Sequence, residues 1–173
     1  MWWSETPAKT GITRRTVLAG LGGLPLAACG FTPVYGPGGA GGRLLGEIAL
    51  PDPGSPLVYL YDRRIEERLG RGGPGASYVL RRTLSVDEQT LGGTSAGATT
   101  RYRLLGEARF VLRDAATDRV LISDTTTAFT GYSSTGSTVA TLAAERDARD
   151  RLAVLLADQT IDILLLQAAG LPG

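Results

Sequence analysis

Apolar positions along this chain fall into a few patterns, and each predicts an element. Leu44 to Leu50 is a short apolar piece, a predicted strand. Pro51, Pro53 and Pro56 punctuate the link to the next element. Leu57, Tyr61, Ile65 and Leu69 then recur every four residues, which predicts a helix over Pro56 to Leu69. Ser55 is its expected cap, Pro56 suits its first turn and Gly70 its stop. Tyr78 to Val86 alternates, with Tyr78, Leu80, Leu84 and Val86 on one face and Arg82 interrupting it, as in a strand. Asp87 to Thr100 is polar and glycine-rich and reads as a loop. Arg101 to Arg113 is the clearest strand. Tyr102, Leu104, Gly106, Ala108, Phe110 and Leu112 share one face; Arg101, Arg103, Glu107, Arg109 and Arg113 share the other. A short connection, Asp114 to Asp118, leads to a threonine-rich strand, Val120 to Thr130, giving a hairpin. A long helix, Thr138 to Ala168, would measure about 45 Å. Leu152, Leu155, Leu156, Ile163 and Leu166 mark its expected buried stripe. Asp158, Gln159 and Asp162 interrupt the run and argue against a membrane span. The order strand, helix, three strands, helix predicts an α+β fold. Two helices would cover one face of a mainly antiparallel four-stranded sheet in two layers.

Composition narrows the chemistry. The chain has 173 residues with 18 Lys plus Arg, 17 Asp plus Glu, one Cys and no His. A net charge of +1 argues against a nucleic-acid partner, which needs a basic footprint. Without His, the His-based triads and the common zinc and non-haem iron sites are excluded. The one Lys is Lys9.

The N-terminus reads as an export signal over residues 1–28. Lys9, Arg14 and Arg15 form a positive start. The uncharged run Val17–Ala28 is too short for a bilayer span of about 20 residues but suits a signal core. It ends in Leu26-Ala27-Ala28-Cys29, which resembles the lipobox of bacterial lipoproteins. That resemblance implies cleavage before Cys29, acylation of its sulfur and new amine, and a stable membrane anchor. Gly30, in place of the Asp that retains lipoproteins at the inner membrane, implies the outer membrane. Thr13 to Leu18 resembles a twin-arginine motif, although two arginines also simply supply charge. Loss of residues 1–28 leaves Arg as the only cation, which excludes Schiff-base and phosphate-loop lysines. Gly36 to Gly42 reads as a flexible glycine-rich tether, so residues 29–43 would lead into one α+β domain over 44–173.

Few residues then remain as candidates. Arg101, Arg103, Arg109 and Arg113 offer bidentate contacts to an anionic lipid or a charged lumen; the alternative is a solvated face. Phe129 near the end of the last strand, Tyr132 and Ser137 after it and Thr138 at the start of the long helix are candidates for a partner-binding loop; Phe129 and Tyr132 could equally close the end of the core. Ser137 or Thr138 would also cap the helix, and an anionic ligand could sit at that helix start. Glu145 and Asp147 are carboxylates at i,i+4 from Arg149 and Arg151, which favours surface ion pairs over catalysis. No cofactor or metal is expected.

The assembled chain resembles the lipopolysaccharide-assembly lipoprotein family, LptE. The residues that carry this are Cys29-Gly-Phe-Thr-Pro-Val-Tyr-Gly36, the strand pair Arg101 to Leu112 and Val120 to Asp124, and Phe129 to Ala140 running into Ala144-Glu-Arg-Asp-Ala148. The resemblance implies two helices packed on a four-stranded sheet. It implies an outer-membrane lipoprotein, anchored on the periplasmic side, that plugs a large β-barrel partner, LptD. Such a protein assists barrel assembly and supports insertion of lipopolysaccharide in the outer leaflet, with lipopolysaccharide itself a possible contact. It is not an enzyme. The competing expectation is an independent periplasmic lipoprotein that holds a small anionic ligand at Ser137 and Thr138, which requires a deep pocket there.

Overall fold

A computed structural model of the protein describes Gly36 and residues 39–93, 99–134 and 136–171. The expected signal, Cys29 and most of the tether lie outside the described residues. The described elements run β1 (Ile48–Ala49), α1 (Pro56–Leu69), β2 (Tyr78–Gly93), β3 (Thr99–Asp114), β4 (Val120–Ser133) and α2 (Thr138–Gln167). Strand order in the single sheet is β1-β2-β3-β4. β1 runs parallel to β2, and the two other pairings are antiparallel. The α+β expectation therefore holds: two helices lie on one face of a mainly antiparallel four-stranded sheet.

The chain enters earlier and more tightly than a tether would. Ala40–Arg43 form a 3-10 turn, and Leu44 is fully buried. Arg43 Nη1 donates to Leu171 O at 2.6 Å, tying the entry segment to the far end of the chain. Only Ile48 and Ala49 of the expected first strand pair with β2. The residues before them turn instead, with Gly46 at φ 73° and the Glu47 amide donating to Leu44 O.

Local signals set α1 as read. Ser55 Oγ accepts from the Val58 amide at 3.3 Å, Pro56 opens the helix and Gly70 ends it at φ 78°. Tyr61, Ile65 and Leu69 are fully buried. Asp62 is buried too, and it explains the interruption at Arg82. The Arg82 guanidinium, reaching across from β2, donates bidentately to the Asp62 carboxylate, with Nε at 2.7 Å, and Nη2 also donates to Pro51 O at 2.7 Å. These side chains are 4% and 8% exposed. A polar residue on the apolar face is thus matched rather than misplaced.

The expected loop Asp87 to Thr100 is mostly strand. Asp87, Glu88, Gln89 and Thr90 pair with Leu105, Leu104, Arg103 and Tyr102. Hydrogen bonding to β3 holds this polar stretch extended without an apolar face to bury. β4 likewise continues to Ser133, opposite Arg101.

The buried stripe of α2 differs from the expected one. Ala148, Leu152, Ala153, Leu156, Ala157, Thr160, Ile161 and Leu164 face inward; Leu155 is 43% exposed and Leu166 is 82% exposed. Alanines on the inner stripe let the helix come close to the sheet. A Cβ on Gly106 would lie 2.9 Å from Leu152 Cδ2 and 3.0 Å from Leu156 Cδ1. By length and composition α2 could cross a membrane; here its inner stripe packs in the core while Val139, Leu142, Val154, Leu155 and Leu166 stay exposed. A buried hydroxyl chain joins the two helices: Tyr61 Oη donates to Thr160 Oγ1 at 2.8 Å, and Thr160 donates to Leu156 O at 2.9 Å.

Candidate functional surface

With both helices on one face, the other face of the sheet is left open, and the strand register places its residues. Leu105 lies opposite Phe129 and Asp87, Arg103 opposite Gly131 and Gln89, and Arg109 opposite Thr125 and Thr83. The arginine row is therefore on this outer face, as the alternation requires. At about 3.4 Å per residue it stretches over roughly 40 Å, too long to converge on one ligand.

The row divides by its partners. Arg109 Nη2 pairs with Glu107 Oε1 at 2.7 Å. Arg113 Nη1 donates to Asp118 O at 2.8 Å and to its carboxylate at 3.1 Å. Both charges are compensated locally. Arg103 instead places its guanidinium 4.9 Å from the Phe129 ring centroid, a cation–π contact that leaves its charge open. Arg101 is exposed and, among the described residues, has no carboxylate partner. Free positive charge thus gathers at the end of β3 far from the Asp114–Arg119 turn.

Phe129 and Tyr132 do not form the partner-binding loop of one expectation; both sit in β4, because the pairing with β3 runs through to Ser133, and Tyr132 packs against the core, as the other expectation has it. Phe129 is 64% exposed and Leu105, directly opposite, 41%. This is the most exposed apolar pair on a face that is otherwise polar apart from Val79 and Val111. Sequence reasoning passed over Leu105 and also Arg81, which faces outward opposite Val111. Both were legible from strand parity. Tyr132 points to the other face, where its ring stacks on Tyr102 at 4.9 Å and its hydroxyl donates to Glu88 Oε2 at 3.0 Å. Burial, then the Glu88 carboxylate, push the Tyr132 phenol up to about 12.

Ser137 is the cap of α2, its Oγ accepting from the Ala140 amide at 3.2 Å, and Thr138 is the first helical residue. Ser137 and Thr138 are exposed and Val139 is 77% exposed. The helix start is an open surface, so the pocket that a small anionic ligand would need is not formed by these residues. A groove of about 350 Å³ lies instead between the helices, lined by Leu57, Leu60, Leu142, Arg146 and Arg149 among others. Glu145 pairs with Arg149 at 2.9 Å and Asp147 with Arg151, as the i,i+4 spacing predicts. Among the described residues no group of three or more Cys, Asp or Glu could hold a metal ion.

A model of the family described as LptE, lipopolysaccharide-assembly, matches residues 46–163, about two-thirds of the chain. No curated protein matches. Among solved structures, a lipoprotein from Caulobacter crescentus is 27% identical, with 77% of this chain and all of that one covered, at a TM-score of 0.62. A minor lipoprotein from Acinetobacter baumannii (21% identical; 75% and 96% covered; TM-score 0.52) and lipoprotein B from Nitrosomonas europaea (13%; 66% and 78%; 0.51) share the fold. Proteins of this kind are assembly factors rather than enzymes. A two-layer fold that leaves one sheet face open, a match spanning both helices and all four strands, and these structural relatives agree: the chain belongs to the LptE lipopolysaccharide-assembly family of outer-membrane lipoproteins.

Proposed function

We propose that this protein is the lipid-anchored plug and assembly partner of an LptD-type β-barrel, supporting insertion of lipopolysaccharide in the outer leaflet. In this reading residues 1–28 are a cleaved signal. Cys29 carries the acyl chains on the periplasmic side of the outer membrane, and a short tether leads to the domain. The observation that carries the reading is the open outer face of the sheet. It is exposed and largely polar, with Thr83, Thr125 and Thr127 among arginines, and it suits a barrel lumen, which is itself polar. Leu105 and Phe129 supply the apolar contact, and Arg101 and Arg103 are the cations available to lipopolysaccharide phosphates or lumen carboxylates.

The test is affinity purification of the tagged chain from gently solubilised outer membrane. A large β-barrel co-eluting in stoichiometric amount supports the plug. A clean monomer, under conditions where other barrel complexes survive, overturns it. Cys29→Ser separates the anchor from the plug: it is expected to abolish acylation, and normal acylation of that variant would remove Cys29 from the account.

A further inference from the structure

β4 is an edge strand, and its outer edge carries a self-complementary pattern. The Ser134 amide donates to Thr100 O, which sets the phase of the β3–β4 ladder. Register is constant from Arg101–Ser133 to Leu112–Ile122, so even-numbered residues of β4 bond β3. Odd-numbered residues turn N–H and C=O to the free edge. Two of these groups are occupied by side chains: Asp124 Oδ1 accepts from the Thr125 amide at 2.7 Å, and Arg151 Nη2 donates to Gly131 O at 3.3 Å. Between them the N–H and C=O of Thr127 and Phe129 are open. Natural edges are commonly blunted by Pro or Lys, and Val120–Ser133 contains neither. Its one charge, Asp124, is exposed and has no cationic partner among the described residues.

We infer that this edge pairs antiparallel with β4 of a second copy of the chain, about a two-fold axis at Ala128. Thr127 then exchanges backbone hydrogen bonds with Phe129 of the second copy, and the reverse exchange arises by symmetry. Thr125 lies opposite Gly131 of the second copy, so the free Gly131 N–H meets the free Thr125 C=O. Asp124 lies on the helix-covered face, opposite Tyr132 of the second copy and beside the Gly131 carbonyl that Arg151 holds. The carboxylate of each copy, which has no cation in its own chain among the described residues, thus meets the Arg151 guanidinium of the other; that guanidinium also holds its own Asp147, so each Arg151 is shared between two carboxylates, twice in an isologous contact. A parallel pairing would set Asp124 near Asp124 and offers no such match. The occupant that fits the charge pattern is therefore the chain itself. This inference does not rest on the barrel reading.

Sedimentation velocity on the full chain in neutral detergent tests it. The unmodified chain is expected to show a monomer–dimer equilibrium. Asp124→Arg or Arg151→Asp alone is expected to weaken it about tenfold, through two symmetric ion pairs, and the double reversal to restore it to within about twofold. Thr127→Pro removes an edge-facing N–H without touching the ladder to β3, so it is expected to keep the circular dichroism spectrum and lose the dimer. A monomer at every accessible concentration overturns the inference. So does a dimer indifferent to Thr127→Pro, or one that the double reversal fails to restore.

Discussion

Replacing Arg82 by Met isolates the cost of the ion pair between β2 and α1. In the native protein both side chains are almost fully enclosed, and the guanidinium donates to both the Asp62 carboxylate and Pro51 O. Met fills similar volume but leaves the carboxylate without its partner. Breaking one side of a buried pair costs about 3–5 kcal/mol, a large part of the roughly 5–15 kcal/mol that holds a domain of this size. The midpoint of thermal unfolding is expected to fall by about 10–20 °C. Replacing both members, Asp62→Leu with Arg82→Met, is expected to lie within about 1 kcal/mol of the native protein, since no buried charge is then stranded. The pH dependence sharpens the test. Burial raises the Asp62 carboxyl above its ordinary value, and Arg82 holds the rise down. Removing Arg82 lets it rise further. A carboxyl whose folded pKa lies above its unfolded value adds stability in full below the unfolded value, and loses it as pH rises through the folded one. The deficit of Arg82→Met is therefore expected to be smallest near pH 4 and to grow towards pH 7. Urea unfolding followed by circular dichroism across that range reads both quantities. A deficit below about 1 kcal/mol at neutral pH, or one that does not change with pH, would refute the reasoning.

Three further outcomes are expected from other parts of the structure. Gly106→Val places a branched side chain where even a Cβ meets Leu152 and Leu156 at 2.9 and 3.0 Å; it is expected to cost about 2–3 kcal/mol in urea unfolding, and a loss under about 0.5 kcal/mol would show that α2 gives way freely. Tyr132 titrates at about 12 instead of 10.0, so its contribution is full below about pH 10 and lost as pH rises through 12. Ultraviolet absorbance titration should show two late phenols, Tyr132 and the more deeply buried Tyr61, which burial raises further, and Tyr132→Phe should remove the earlier of the two steps. Asp114 accepts from the Ala116 and Thr117 amides and the Thr117 hydroxyl, which holds its carboxyl below 3.8. Its stabilisation of the hairpin is present above the ordinary value and lost as pH falls through the folded one, and Asp114→Ala should abolish that part of the acid transition.

The parts of the fold legible in sequence were those fixed by local chemistry. The Ser55, Pro56 and Gly70 signals bound α1 to the residue, and alternation from Tyr102 to Leu112 sorted the faces of β3 correctly. What escaped was set by partners distant in the chain. Asp87–Thr90 has turn-like composition and becomes strand only because β3 is there to pair with it. Arg82 reads as a defect until Asp62, 20 residues away, is placed beside it. On α2, size misled: Leu155 and Leu166 are large yet exposed, while Ala148, Ala153 and Ala157 are buried because the sheet passes close beneath them. The candidate surface was legible to the same degree. Parity put the arginine row on one face, but only the partners separate Arg109 and Arg113, which are neutralised nearby, from Arg101 and Arg103, which are not.

The division of the sheet into two faces also separates what stabilises the protein from what is free to recognise. The core is carried by the inner face, where Leu80, Leu104, Phe110 and Leu112 meet the helices and even the polar exceptions are matched. Changes there propagate through packing. On the outer face a substitution removes little buried surface, so its effect on stability stays within about 0.5 kcal/mol while its effect on a partner can be large. Phe129 stands at the meeting point of three roles. Its side chain is the exposed half of the apolar pair with Leu105, its ring takes the Arg103 guanidinium, and its backbone N–H and C=O face the free edge. Phe129→Ala alters the first two and leaves the third intact. The outer-face contact and the edge pairing are thus separable within one residue: the alanine variant is expected to weaken capture of a barrel while the dimer persists.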